Sequence, residues 1–267
     1  TTWTQEAVWL IGNDIDFCGA EISIMERFPF FEICALTNID KEAYINHTNI
    51  DTVKNSLNYI KNLKGKRFIK THLPFSLLPQ QIQNGDKTPK IIYVIRNPKD
   101  ICVSYFHHGR VFHDWTPNLN DFAEVFLEDK VLYGSYWKHV KGYWDKRFNE
   151  NILIIFYEDM IKDLLTVVKE IAQFLNKTIS EDKMLQLLEH LNFKSMKKNK
   201  SVNYEDIIQY RTKQKLIGDG ECFMRSGVSG KHKEEMSAPL IQKFSKWIMD
   251  NITGTSLEDH PVISNCK

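Results

Sequence analysis

Paired cysteines, long apolar runs and a dominant charge sign are all missing from this chain. Its five cysteines, Cys18, Cys34, Cys102, Cys222 and Cys266, are odd in number, widely spaced and without a CxxC pair. That argues against a disulfide framework or a structural zinc site and for a reducing compartment. No apolar run approaches the roughly 20 residues needed to span a bilayer, and the amino end does not read as a secretory signal. Lys plus Arg number 35 against 34 for Asp plus Glu. The whole-chain field therefore favours neither nucleic acid nor an anionic membrane surface, and any anion site must be a local concentration of cations. An initiator Met is absent too: the chain opens Thr1-Thr2-Trp3, and an upstream segment is expected. Sequons at Asn46, Asn176, Asn199 and Asn251 carry little weight in an Asn-rich chain, and no internal repeat or low-complexity linker is apparent.

What is present is enough apolar sequence, 42% of 267 residues, for one large domain or at most two small ones, and one domain spanning 1–267 is expected. Lys66 to Pro74 reads as a short buried strand with Phe68 and Ile69 as its body, stopped by Pro74. In an extended chain Lys70 and His72 project on the same side. A fixed cation beside an imidazole suits deprotonating a neutral nucleophile while stabilising an anion; a surface lysine beside a capping histidine is the alternative, and the tripeptide does not choose between them.

Two further runs, Lys90 to Pro98 and Asn151 to Asp159, read as buried strands with polar carboxyl ends at Arg96 and at Tyr157 to Asp159. Helical spacing covers residues 1–11, 101–111, 119–132, 131–148, 162–175, 181–191 and 238–249, with a covering helix over 40–63. Gly12-Asn13-Asp14 ends the first of these, and the threonines that open it could cap it or seat a phosphate. Residues 201–215, polar and without a clear period, are expected to form an irregular lid or binding loop. Phe223 to Lys231 mixes two glycines with cations, a turn whose N–H groups can cradle an anion. Alternating strands and helices give an α/β order with a parallel sheet, in which ligands lie at the carboxyl ends of the strands. Nearby acids are few, which leaves metal-dependent phosphoryl transfer thinly supported.

Five ordered segments carry a resemblance: Lys70-Thr71-His72-Leu73-Pro74; Val94 to Asp100 with Ser104-Tyr105; Phe156 to Met160; Phe193 to Asn199; and Phe223 to Gly227. Together they resemble the cytosolic sulfotransferase family over essentially the whole chain. The resemblance implies a P-loop-like sulfotransferase fold, a single domain with a central, mainly parallel sheet flanked by helices. It implies metal-free transfer of a sulfuryl group from 3′-phosphoadenosine 5′-phosphosulfate (PAPS) to a hydroxyl or amine of a small apolar acceptor, a phenol, alcohol, steroid or amine. It implies a cytoplasmic enzyme with no nucleic-acid or membrane partner. His72 would be the base and Lys70 the cation on the transferring group, with Phe30, Phe31 and Thr71 bordering the acceptor. Thr1 and Thr2 would hold the 5′-phosphate, Arg96 and Ser104 the 3′-phosphate, and Trp3, Tyr157 and Phe193 the adenine region. Leu191, Met196, Phe223, Met224, Arg225, Ser226 and Gly227 would complete the cradle.

Four departures stand beside it. The family's phosphate loop places Lys-Ser-Gly immediately before Thr-Thr-Trp, where this chain starts, so the sequence is expected to be amino-terminally incomplete. Ser226 stands where a lysine is usual. Gly230-Lys231-His232-Lys233 replaces Gly-Asp-Trp-Lys, and the dimer motif is degenerate at Ser237, Ala238 and Gln242, which leaves a homodimer by that route open. Two alternatives keep the fold: a dehydratase of an alcohol such as a retinoid, and a non-catalytic nucleotide or small-ligand binder.

Overall fold

The computed structural model describes residues 1–36 and 48–266. Internal contacts gather the chain into two compact units: Thr1–His72 with His108–Asp114 and Leu165–Gly227, and Leu73–His107 with Trp115–Leu164 and Val228–Lys267.

In the first unit the helix Thr2–Gly12 is sunk in the core, with Ala7, Leu10 and Ile11 sealed from solvent. Its apolar face is continuous enough to bury one acid as well. Glu6 pairs with Arg27 at 2.5 Å and with Nε2 of His190 at 2.7 Å, as a buried carboxylate requires. The chain leaves the helix at Asn13, as expected, and the Phe68 ring packs so closely on Gly12 that a Cβ there would collide with it. The helix Glu181–Leu191 has the predicted bounds.

Three expectations in this unit change. The stretch from Lys66 is not a buried strand: it makes one isolated parallel bridge, Phe30 to Lys70, and Ile69 is 39% exposed. Its partner is a bend after Pro29, which gives one bond in each direction, Lys70 N–H to Pro29 O at 2.9 Å and Phe31 N–H to Lys70 O at 2.8 Å, and no ladder. The covering helix is two short ones, Asp51–Lys54 and Ser56–Asn62, broken at Asn55 with φ −142°; residues 40–47 of that expectation lie outside the described residues. The segment 201–215 is not a loop but mostly helix, in Lys200–Asn203 and Glu205–Lys213. Its buried face combines Ile207 and Ile208 with Arg211, whose charge disguises the period, and Arg211 is paired with Asp114. Asn199 and Asn203 accept from the N–H groups of Ser201 and Glu205 and start the two turns.

The second unit holds the parallel sheet of the α/β reading. Strand β1, Ile91–Ile95, pairs with β2, Ile152–Phe156, in the register Ile91 to Ile152 through Ile95 to Phe156. β-branched residues dominate both strands, with Tyr93, Leu153 and Phe156 beside them, as suits a covered parallel pair. Two residues past the end of β1, Asn97 Oδ1 accepts from Lys99 N–H at 2.9 Å, and Pro98 opens the helix Pro98–Phe112, where a missing N–H costs nothing. The helices Leu119–Leu127 and Tyr136–Trp144 are shorter than their sequence patterns. The helix Ala238–Ile252 buries Leu240, Phe244, Ile248 and Ile252 and joins the two apolar clusters of this unit. Among the described residues, no helix is long and apolar enough to cross a membrane.

Candidate active site

In the first unit, Lys70 and His72 meet on one aromatic ring. Lys70 Nζ lies 4.4 Å from the centroid of Phe30, and the His72 imidazole meets the same ring edge-on at 5.3 Å and 79°. The alternation of an extended chain does this even without a ladder. Desolvation pushes the Lys70 pKa down to about 8, against an opposing pull from Glu32. Glu32, 9% exposed, also accepts the backbone N–H of His72 at 2.7 Å. It therefore fixes the histidine's backbone and balances the lysine's charge from one carboxylate. Nothing in the pattern around Phe28 to Ile33 marks Glu32 for that role.

His108, also missed by sequence reasoning, belongs to the same unit. Burial, then the positive character of His113 and of Lys70, pushes its pKa down to about 3. Its ring lies 4.8 Å from Phe112 and 6.4 Å from Phe223, so an apolar wall carries one neutral imidazole. Phe31 is tied in through its carbonyl, which accepts from Ser56 Oγ at 2.8 Å, while Thr71 stands half-buried between Lys70 and His72.

Several residues of the expected nucleotide cradle, Tyr157 not among them, also lie in this unit. Trp3 Nε1 donates to the Leu191 carbonyl at 2.8 Å, which joins two predicted cradle residues 188 positions apart. Thr1 occupies the amino-terminal cap of its helix without a side-chain cap bond, and buried Thr2 is hydrogen-bonded to Tyr204, whose own hydroxyl burial pushes up to about 12. Gly227, at φ 64°, backs so closely onto Phe193 that any Cβ would enter the ring. Met196 is buried. Phe223 packs edge-on against Tyr204 at 4.8 Å, and the Met224 carbonyl accepts from Cys222 Sγ. Ser226 is half-buried and Arg225 exposed on the same irregular segment.

The second unit supplies the strand-end cation. The Arg96 guanidinium stacks over the Tyr157 ring at 4.3 Å, and its backbone carbonyl accepts from Tyr136 Oη at 2.7 Å. The bond from Asn97 N–H to Glu158 Oε1, 2.9 Å, ties the two strand ends together and makes the stacking possible. Arg96 Nε is buried with no hydrogen-bond partner among the described residues. Burial raises the Glu158 pKa against the Asn97 N–H and the Arg96 charge, and burial likewise raises that of Tyr157. Ser104 is exposed one turn and a half into the helix that follows. Tyr143 Oη donates to the Leu73 carbonyl at 2.8 Å and anchors the residue after His72.

The family model described as "Sulfotransferase domain" matches residues 1–256. Luciferin sulfotransferase of Photinus pyralis is 52% identical over 263 residues, 98% of this chain and 71% of that protein. Sulfotransferase 1E1 of Homo sapiens is 33% identical over 250 residues, 92% of this chain and 78% of that protein. Among solved structures, retinol dehydratase in complex with androsterone and the inactive cofactor PAP superposes with a TM-score of 0.84 at 34% identity, over 98% of this chain and 79% of that one. The lysine and histidine gathered on Phe30, the arginine stacked at a strand end and a model match running from residue 1 to residue 256 agree, and the chain belongs to the sulfotransferase family.

Proposed function

We propose that this sulfotransferase moves a sulfuryl group from PAPS to the hydroxyl or amine of a small apolar acceptor, with His72 as general base and Lys70 as the cation beside the transferring group. The observation that carries the reading is the convergence of Lys70 and His72 on Phe30, with the lysine desolvated and the histidine's backbone held by Glu32.

Each unit carries residues of the kinds that a doubly phosphorylated nucleotide needs. Arg96 keeps a buried N–H without a partner among the described residues while its guanidinium plane is held on Tyr157, a cation arranged to meet an anion. Arg96 and Ser104 would take the 3′-phosphate, Thr1 and Thr2 the 5′-phosphate, and Trp3, Phe193 and Tyr157 the adenine, with the chain from Phe223 to Gly227 closing the cradle. When bound, PAPS supplies an electrophilic sulfur and a phosphate leaving group. His72 accepts the acceptor's proton, and Lys70, more than half charged at pH 7, offsets the negative charge that develops beside it. Phe30 keeps water off the cation and presents an apolar face to the acceptor.

His72→Ala is expected to lower turnover by about 10² to 10⁴, the range of general-base help, while PAP binding stays near that of the parent. Labelled PAPS with a panel of phenols, steroids and alcohols, luciferin included, measures the first, and calorimetry the second. Turnover within a few-fold of the parent would remove His72 from the role.

A second reading is favoured by the retinol dehydratase structures, one of them bound to retinol and PAP, at TM-score 0.84 and 34% identity. On that reading the same site dehydrates an alcohol. Mass spectrometry of the product separates the two, by a net gain of SO3 or a loss of water.

A further inference from the structure

Asp100 lies in the first turn of the helix Pro98–Phe112, four residues before Ser104, and is 1% exposed. A carboxylate so buried needs donors, and the segment 229–232 of the same unit provides four. Oδ2 accepts from Ser229 Oγ at 2.8 Å and Gly230 N–H at 2.6 Å, and Oδ1 from the backbone N–H of His232 at 3.1 Å and its Nδ1–H at 2.8 Å. An ionised carboxylate only accepts, so the imidazole carries its proton on Nδ1. Against the upward push of burial, the bonds from His232, Gly230 and Ser229 hold Asp100 well below the usual carboxylate range. Gly230 sits at φ 91°, the left-handed backbone that lets successive N–H groups turn toward one acceptor. Lys99 is anchored separately, its Nζ donating to Ser245 Oγ and to the Cys266 carbonyl, both at 2.9 Å. The helix start is therefore held without His232, and what His232 adds is a link to one particular turn.

We infer that His232 is a positioning residue for the 3′-phosphate side of the nucleotide seat: by clasping Asp100 it sets the turn 229–232 against the helix start that lies between Arg96 and Ser104. The inference rests on the reading that Arg96 and Ser104 hold that phosphate. It also accounts for a residue that the motif comparison left as an unexplained departure, since neither tryptophan nor phenylalanine could donate from the Nδ1 position.

The test uses the full chain and PAP as the probe. His232→Phe keeps a buried ring and removes the donor; His232→Asn puts an N–H near where Nδ1–H stands. His232→Phe is expected to weaken PAP binding about tenfold and to raise the PAPS KM in step, with the acceptor KM within about twofold, since one lost bond to a charged acceptor is of that order. His232→Asn should recover PAP affinity to within about threefold of the parent. Ser229→Ala, which removes a second donor from an exposed position, is expected to move PAP affinity in the same direction and serves if His232→Phe does not fold. PAP affinity unchanged in both His232→Phe and Ser229→Ala, or a fall in kcat alone, would overturn the positioning role. Arg96→Met is run alongside. If it leaves PAP binding intact, the phosphate assignment itself is lost; if it abolishes binding while the His232 and Ser229 variants leave PAP affinity unchanged, only the clasp is.

Discussion

Lys70 opposes the stability of its own fold. Its pKa falls from 10.5 to about 8 because desolvation outweighs the pull of Glu32. Below pH 8 both folded and unfolded states are charged and the burial cost stands in full; between about 8 and 10.5 the unfolded chain binds more protons, so stability from this group rises with pH. Lys70→Met should therefore be more stable than the parent at pH 7, by about 1–3 kcal/mol on that difference, with the advantage vanishing near pH 10. Urea titrations at several pH values would measure it. The same substitution should abolish most turnover, and turnover of the parent should decline above about pH 8 as the cation is lost. The pairing of Lys70 with His72 is legible in the tripeptide because alternation is a property of extended backbone. Glu32 is not, since only the approach of Pro29 and Phe30 to Lys70 brings its carboxylate under His72.

At the scale of elements, strong periodicity reads well and masked periodicity does not. The helix Glu181–Leu191 and the two paired strands lie within the spans their patterns predict. The helices over 200–213 are missed because Arg211 occupies an apolar position of the face and because their starts depend on asparagine caps. Asn203 is the hinge of that region. Its Oδ1 accepts from Glu205 N–H and its Nδ2 donates to the Lys197 carbonyl, both at 2.9 Å, with Tyr204 left-handed at φ 57° between the two helices. Asn203→Ala should cost about 1–2 kcal/mol, read as a lower urea midpoint at unchanged slope. Its effect on turnover should be small beside that of His72→Ala. The stretch Lys66 to Pro74 errs the other way. It has the composition of a strand, but strand structure requires a partner of matching length, and the described residues provide a single bridge.

For the whole molecule, each compact unit has its own apolar packing, and the second is organised by the helix Ala238–Ile252. Phe244, fully buried there among Phe126 and Trp247, should cost about 3–5 kcal/mol when replaced by alanine. Thermal and chemical denaturation would show it as an early loss of the unit that contains β1 and β2. The chain by itself determined the α/β order, the helices whose apolar spacing is unbroken, and the ordered motifs that assign the family, because these depend on neighbours along the sequence. Tertiary structure alone decided which buried charges have partners: Glu6 with Arg27 and His190, Asp100 with His232, and Glu32 beneath His72. A charge can leave water only where another segment supplies hydrogen bonds to it, and which segments meet is a matter of packing rather than of local pattern.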